Sequence, residues 1–429
     1  MQMTIKNNVF RIISVDLFVV YTFFSDIIEQ ILGLKFSLVW IIPSIAFAFI
    51  PLVFGDAKYI IKEKVFFLAS GWLYFAVVYV ACYDVMIANG NIFKPLRWIW
   101  AVFIMLSFVS MKEGHGHILI TAAVCSFVNA AATILFFIVP SLYKFMHTIY
   151  HEWPAGTDNG KFGFKAALTN HYSHNAMLII PVILILTSYL LTSKKKGHKK
   201  FAIIALVISA FAIILTAKRA HLLFGVAAVV VTYLIIGKGN KFKRVFLLGI
   251  IAVLAVALFY IASLYVPQIN LVLQRFETVG EDNSSTTRLK MWALAFTLFR
   301  NHPIFGAGWG AYKFLYSETF HKDPLDAHNV YIQMLAETGV IGFIIFVFTA
   351  FSALYVTIRY IKKRKTLNMP IVYSLVMQMF VLMYCTTGNC IYDIMFCHYI
   401  IALGIAYSTL SNQKGSLYEN WHSYISQSL

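Results

Sequence analysis

Charged residues are scarce in this chain of 429 residues. Asp, Glu, Lys and Arg together make up only 12% of it, whereas 60% of the residues are hydrophobic. Soluble globular proteins contain about 25% charged residues. The composition therefore excludes an ordinary soluble enzyme and indicates an integral membrane protein.

Acidic residues are scarcer than basic ones, with 18 Asp and Glu against 35 Lys and Arg, so the formal net charge is +17. The basic residues do not interleave with a soluble aromatic surface, which argues against nucleic acid as a partner. A majority of them cluster in short loops between apolar runs, as the positive-inside rule describes for cytoplasmic loops. The positive charge mainly reports the membrane topology, and we expect some of the basic residues to contact anionic head groups of the lipid bilayer.

Cysteine is also rare, and the five cysteines lack the spacing of a metal site. Most of them lie in apolar runs, where Cys behaves as a small buried hydrophobe. Cys385 and Cys390 could lie close together at one membrane edge, and the sequence leaves their pairing open. A glycine-rich run at 306–310 follows no βαβ strand, so it predicts a turn and not a nucleotide-binding loop.

Twelve apolar stretches reach the length of about 20 residues that a helix needs to cross a bilayer. They lie near 12–32, 36–55, 65–87, 92–111, 117–139, 172–192, 201–217, 220–237, 245–266, 339–358, 369–387 and 391–410. Lysine-rich loops, most clearly 194–200, predict that both termini are cytoplasmic. The first run lacks a small-residue cleavage site, so we expect a retained span and not a signal peptide.

The predicted fold is an all-α integral membrane protein in three parts. Residues 1–266 form a transmembrane bundle of spans 1–9, and residues 339–429 contribute spans 10–12 and a cytoplasmic tail. Residues 267–338 form a helical extracytoplasmic loop subdomain. That loop carries nearly balanced charge, so its individual arginines need separate explanations.

The stretch 326–339 predicts a short amphipathic helix with Asp326 as N-cap and Gly339 as the residue that ends it. This cap places His328 in the first turn, where the helix dipole disfavours an imidazolium. Asp326 acts in the opposite direction on the same ring. We expect His328 to be neutral, as a general base must be, while a packing role is the alternative.

Two arginines on the predicted extracytoplasmic side are candidates for anion binding. Arg219 lies in the tight turn between spans seven and eight, flanked by Lys218 and His221, at a depth where ionisable residues are costly. Arg288 is predicted to open a helix with Trp292 one turn on, where a shared anion such as phosphate would explain the cation. Snorkelling to the interface and an Arg–Trp stack are the respective alternatives.

Histidine pairs occur twice at predicted membrane edges. His171 and His174 lie at the outer edge of span six, and His115 and His117 lie on the cytoplasmic side. Neither pair has a third ligand or a carboxylate beside it in the sequence, so we predict no metal site and expect interfacial histidines.

Three segments resemble the O-antigen ligase and polymerase superfamily. The first is 326–342, which resembles its His-Asn … Gly-x-x-Gly signature. The second runs from the arginine helix at 288–292 to the Pro-x-x-Gly-x-Gly turn ending at Gly308. The third is 215–220, which is similar to the family's arginine turn. Their order and the twelve-span layout agree with the superfamily over the whole chain.

The resemblance implies a GT-C-like glycosyltransferase at the periplasmic face of the bacterial inner membrane, acting without metal or other cofactor. A ligase of this family moves polysaccharide from undecaprenyl pyrophosphate to a sugar hydroxyl of lipid A–core, with inversion. By this likeness His328 is the base, and Arg219 and Arg288 hold the pyrophosphate. The further substrate-binding residues that we expect are Lys218, His221, Asn329, Trp292 and His174.

Two other functions are compatible with the sequence. An O-antigen polymerase would share the donor and the fold, but it is favoured by paired, similar arginine–glycine loops, which the chain does not display. A non-enzymatic polysaccharide transporter needs charged residues along a path through the bundle. The mid-span acids are few and lie near span ends: Asp16, Asp26, Asp84 and Asp393.

Overall fold

The computed structural model describes residues 2–32, 40–47, 63–82, 93–111, 114–148, 163–193, 196–265, 270 and 283–411. The regular structure within these ranges is helical, which confirms the all-α prediction. The cytoplasmic tail predicted beyond residue 411, and most of the loop before residue 283, lie outside the described residues.

Fourteen α-helices are numbered here in chain order, and helical residues 40–47 lie between the first two of them. They are α1 (Gln2–Leu32), α2 (Glu63–Ala81), α3 (Phe93–Ser110), α4 (His115–Ile138), α5 (Pro140–His147), α6 (Tyr172–Thr192), α7 (Lys196–Leu215), α8 (Arg219–Ile236), α9 (Lys241–Tyr265), α10 (Asn283–Asn301), α11 (Ala311–Phe320), α12 (Val330–Lys363), α13 (Met369–Tyr384) and α14 (Met395–Ser411). A 3₁₀ turn at Gly163–Lys165 precedes α6.

Six of the described helices are long and apolar enough to cross a membrane, namely α4, α6, α7, α8, α9 and α12. Shorter apolar segments lie within α2, α3, α13 and α14. The predicted span near 36–55 overlaps helical residues 40–47, and its remainder lies outside the described residues. These helices fit a multi-pass membrane protein, while the count of twelve spans stays a prediction.

Helices α13 and α14 form the centre of the bundle because they are apolar on all sides. They pack on each other, and α3, α6 and α8 pack around them. Aromatic rings fill the contact between α3 and α14, where Trp98 stacks on Phe396 with ring centroids 4.4 Å apart. Helix α9 differs in leaving most of its apolar side chains exposed, as a lipid-facing helix does.

A kink divides α12 at Gly339, whose φ of +65° and ψ of −170° are not helical. The prediction that Gly339 ends the helix is therefore wrong in one respect, because the helix resumes directly beyond it. The break follows from hydrogen bonds that the backbone makes outside the helix: the N–H of Val340 donates to Pro303 O at 2.9 Å and that of Ile341 to Ile304 O at 3.3 Å.

The predicted turn at 306–310 is confirmed, and it packs backbone to backbone against this kink. Gly308 N–H donates to Glu337 O at 2.9 Å, and Gly306 has a φ of +75°. A Cβ atom at Gly306 would meet the Glu337 carbonyl, and one at Gly339 would meet the Ile304 carbonyl. The contact therefore requires glycine on both sides, and it fixes where α12 starts relative to α10.

Candidate active site

A cavity of about 870 Å³ lies between α1, α6, α10 and the segment that leads into α12. A cavity of this size suits a ligand or substrate. Its lining is rich in ionisable side chains from several elements. They are Asp26, His171, His174, Lys218, Arg288, Lys313, Asp326, His328 and Asp393, together with Tyr21, Tyr172, Tyr384, Tyr392 and Cys397.

His328 lines this cavity from a loop and not from a helix. Helix α12 begins at Val330, and its N-cap is Asn329, whose side chain accepts a hydrogen bond from Ile332 N–H at 3.2 Å. The prediction of Asp326 as the cap, with His328 in the first turn, is wrong. Asn329 is also a strong capping residue, and Asp326 is engaged elsewhere. His328 has a φ of +54°, which is uncommon for any residue but glycine.

The backbone on both sides of His328 is held by side chains and by a second loop. Ala327 N–H donates to Gln333 Oε1 at 2.8 Å, and Ala327 O accepts from Trp292 Nε1 at 3.0 Å. Val330 N–H donates to Cys385 O at 2.8 Å. A left-handed residue persists where its surroundings over-determine it, and these three bonds do so for His328.

Asp326 is held by Lys313 and Gln333, two partners that the sequence analysis does not predict. Its Oδ2 lies 2.7 Å from Lys313 Nζ, and its Oδ1 accepts from Gln333 Nε2 at 3.0 Å. Burial lowers the pKa of Lys313, but Asp326, Asp393 and Glu337 together raise it by more, so the ammonium stays charged. Gln333 could have been inferred from its place two turns after Asp326 in the predicted helix, whereas Lys313 carries no sequence signal.

The electrostatic surroundings of His328 favour a neutral ring. Burial lowers the pKa of His328 below its usual value, and Arg288 and Lys218 lower it further, while Asp326 and Asp393 act in the opposite direction. The net shift is downward. The neutral state agrees with the expectation from the sequence, but burial and two cations cause it, not a helix dipole.

Two cations beside His328 come from separate elements. Arg288 lies in the second turn of α10, which begins at Asn283, so the prediction that it opens the helix is wrong by about one turn. Lys218 is the N-cap residue of α8, and its Nζ lies 3.8 Å from the centre of the Tyr172 ring. Arg219 begins α8 and does not line the cavity, unlike its neighbour Lys218.

Residues 204–347 match the family model described as O-Antigen ligase. This O-antigen ligase match covers 144 of the 429 residues. The match runs from α7 to the middle of α12 and contains Arg219, Arg288 and His328, so it confirms the resemblance to the superfamily. Members of this family are glycosyltransferase-like ligases and polymerases, which supports a membrane enzyme that acts on lipid-linked glycans. No curated protein matches the chain.

A histidine outside the matched O-antigen ligase domain bridges two carboxylates in the same cavity. His174 Nδ1 lies 3.4 Å from Asp26 Oδ2, and Nε2 lies 3.4 Å from Asp393 Oδ1. His171 caps α6 by accepting from Ser173 N–H at 3.0 Å, and burial, with Lys218 and His174, lowers the pKa of His171 to about 4. The pair that we predicted to be interfacial therefore lines the cavity.

Three other predicted site residues do not line the cavity. Asn329 caps α12 and Trp292 bonds Ala327, so both hold the His328 segment. His221 is buried in α8 with its ring 4.5 Å from that of Tyr384, which does line the cavity.

The two cysteines whose pairing the sequence left open lie side by side in the loop after α13. Cys385 and Cys390 are both buried thiols, and their Sγ atoms are 3.0 Å apart. The loop also contains Asn389, whose side chain reaches His328.

Proposed function

We propose that this chain is an O-antigen ligase that transfers a polysaccharide from undecaprenyl pyrophosphate to a sugar hydroxyl of lipid A–core. The site faces the periplasm at the inner membrane, with both termini in the cytoplasm. The observation that carries the proposal is the convergence of His328, Arg288 and Lys218 on one cavity between apolar helices. The family match over 204–347 includes these three residues and supports the same donor class.

The reaction needs a base and an anion-binding site, and the cavity offers both. The acceptor hydroxyl oxygen attacks the anomeric carbon opposite the pyrophosphate, and the bond from that carbon to the pyrophosphate oxygen breaks. The configuration therefore inverts. His328 takes the hydroxyl proton, since a half-buried ring with a lowered pKa is neutral at periplasmic pH.

The leaving undecaprenyl pyrophosphate keeps the electron pair, and its charge grows as the bond breaks. Arg288 presents a planar guanidinium that binds two phosphate oxygens at once. Lys218 adds a point charge from the neighbouring turn, and we propose that it shares the anion-binding role predicted for Arg219. Fixed cations that meet charge as it develops are among the largest contributions to catalysis.

His174, which lies between Asp26 and Asp393, completes the proposed substrate contacts. Carboxylates and imidazoles are hydrogen-bonding partners for sugar hydroxyls. We propose that this group contacts the glycan, while Arg288 and Lys218 contact the pyrophosphate.

The experiment that tests the function is the lipopolysaccharide profile of a strain that lacks this protein. A ligase defect strands full-length polymer on undecaprenyl pyrophosphate and leaves lipid A–core bare. Lipid A–core capped by a single repeat would instead identify a polymerase, and an unchanged profile would contradict both. Complementation with the wild-type chain and with His328→Asn, which tolerates the left-handed backbone, serves as the matched pair.

A further inference from the structure

The side chain of Asn389 lies in direct contact with His328. Asn389 belongs to the loop between α13 and α14, its amide nitrogen lies 3.3 Å from His328 Nδ1, and both residues line the cavity. A neutral imidazole carries one proton on one of its two nitrogens, so the partner of Nδ1 decides where the lone pair is.

We propose that Asn389 is the positioning residue of His328: its amide oxygen accepts the Nδ1–H and leaves the lone pair on Nε2. This inference rests on the proposed function, in which His328 is the base. Nε2 makes no hydrogen bond to the residues that the structure describes, so it is the nitrogen left to face an acceptor hydroxyl.

The orientation of the amide follows from this chemistry. The two ends of a carboxamide have nearly the same shape, so a half-turn of the group keeps the contact with Nδ1. With the nitrogen toward Nδ1, the ring must carry its proton on Nε2 and cannot accept another there. That arrangement also leaves Asn389 Oδ1 buried with no hydrogen-bond partner among the described residues. The half-turn gives this oxygen the Nδ1–H as donor and moves the amide nitrogen to the position without a partner, so it is the tautomer that a base requires, and not the number of hydrogen bonds, that favours it.

The backbone holds Asn389 and His328 at a fixed separation. Cys385 O accepts from Val330 N–H at 2.8 Å, which joins the Asn389 loop to the start of α12. Within the loop, Asn389 O accepts from Tyr392 N–H at 2.7 Å. The amide is therefore held in place by the chain on both sides, as positioning a catalytic ring requires.

Other charged groups face His328, and they bear on any test by pH. Arg288 of α10 and Lys218 before α8 are cationic, whereas Asp326 on the same segment and Asp393 in the Asn389 loop are anionic. Asn389 is the neutral group that touches Nδ1. Replacing it by aspartate adds a negative charge at that nitrogen, so His328 should lose its proton at a higher pH.

The test compares two variants of the purified full-length chain, with undecaprenyl-pyrophosphate-linked O-polysaccharide as donor and lipid A–core as acceptor. Asn389→Leu has a similar volume but no acceptor, and we expect kcat to fall about 10²-fold, as misplaced catalytic groups typically do. KM for both substrates should stay unchanged. Asn389→Asp should keep most of the plateau kcat and move the acid limb of the pH profile upward by about one unit.

A double-mutant cycle separates positioning from a packing role. If Asn389 acts through His328, adding Asn389→Leu to His328→Asn should cause no further loss. Additive losses, a wild-type kcat for Asn389→Leu, or an Asn389→Asp pH profile that superimposes on the wild type would overturn the positioning role alone. Full activity of His328→Asn would instead overturn the role of His328 as the base, and with it the proposed function. If the leucine variant does not fold, the aspartate pH profile decides.

Discussion

The packing of the α12 kink against the turn at 306–310 can be tested by adding one methyl group at Gly339. Gly339→Ala places a Cβ atom on a residue whose φ of +65° and ψ of −170° are adopted almost only by glycine, which costs roughly 1–3 kcal/mol. The same atom meets the Ile304 carbonyl, which is backbone and cannot rotate away. Relief would break the hydrogen bonds from Val340 and Ile341, each worth about 1 kcal/mol. The expected loss is therefore roughly 3–5 kcal/mol.

Thermal unfolding of the purified protein measures this loss. We expect the Tm of Gly339→Ala to fall by roughly 5 °C or more, with activity reduced because the His328 segment begins the same helix. The matched control is Gly116→Ala in α4, where a Cβ atom meets nothing within 4 Å. That change should be neutral or stabilise by about 0.5–1 kcal/mol. Equal Tm values for the two variants would refute the packing argument.

Three further predictions concern the charges of the cavity. Arg288→Lys should lose most activity although it keeps the charge, because an ammonium cannot bind two phosphate oxygens as a planar fork does; wild-type turnover would make Arg288 an interfacial cation only. Lys218→Ala should lower kcat/KM for the donor roughly tenfold or more, since a charge-assisted hydrogen bond to phosphate contributes about 1.5–3 kcal/mol. An unchanged kcat/KM in Lys218→Ala would remove Lys218 from the site, and Arg219→Ala, measured beside it, shows whether the neighbour contributes. Because the pKa of His328 is lowered, kcat/KM should be lost as pH falls only below the usual histidine value of about 6.5, and an acid limb above that value would contradict the neutral ring.

Apolar runs and charge clusters predict much of the fold because they act over whole helices. The predicted runs near 172–192 and 220–237 match α6 and α8 closely, since a segment that must hide its backbone in lipid has little choice but a helix. The turn at 306–310 is predicted equally well, because glycine adopts the positive φ angles of such a turn without steric cost.

The details of the site could not be predicted from the sequence, because contacts between residues far apart in the chain determine them. Asp326 has the right type for an N-cap, but Lys313 from α11 competes for it and Asn329 caps instead. Lys218 lines the cavity and Arg219 does not, although the two are adjacent in the chain and both are basic. Local propensity cannot show any of these.

The role of Asn389 could not be predicted from the sequence for a related reason. It lies 61 residues from His328 in the chain, and no motif marks it. Contacts between α12 and the end of α13 bring the two side chains together, among them the hydrogen bond from Val330 N–H to Cys385 O.

Turnover of purified His328 variants tests the central claim most directly. His328→Asn and His328→Gln keep a hydrogen-bonding side chain but have no basic nitrogen. Both should fold, bind the undecaprenyl-pyrophosphate-linked donor with unchanged affinity and transfer it to lipid A–core about 10²–10⁴-fold more slowly. Near-normal transfer by His328→Gln would contradict the account, because the ring would then only pack or hydrogen-bond within its loop.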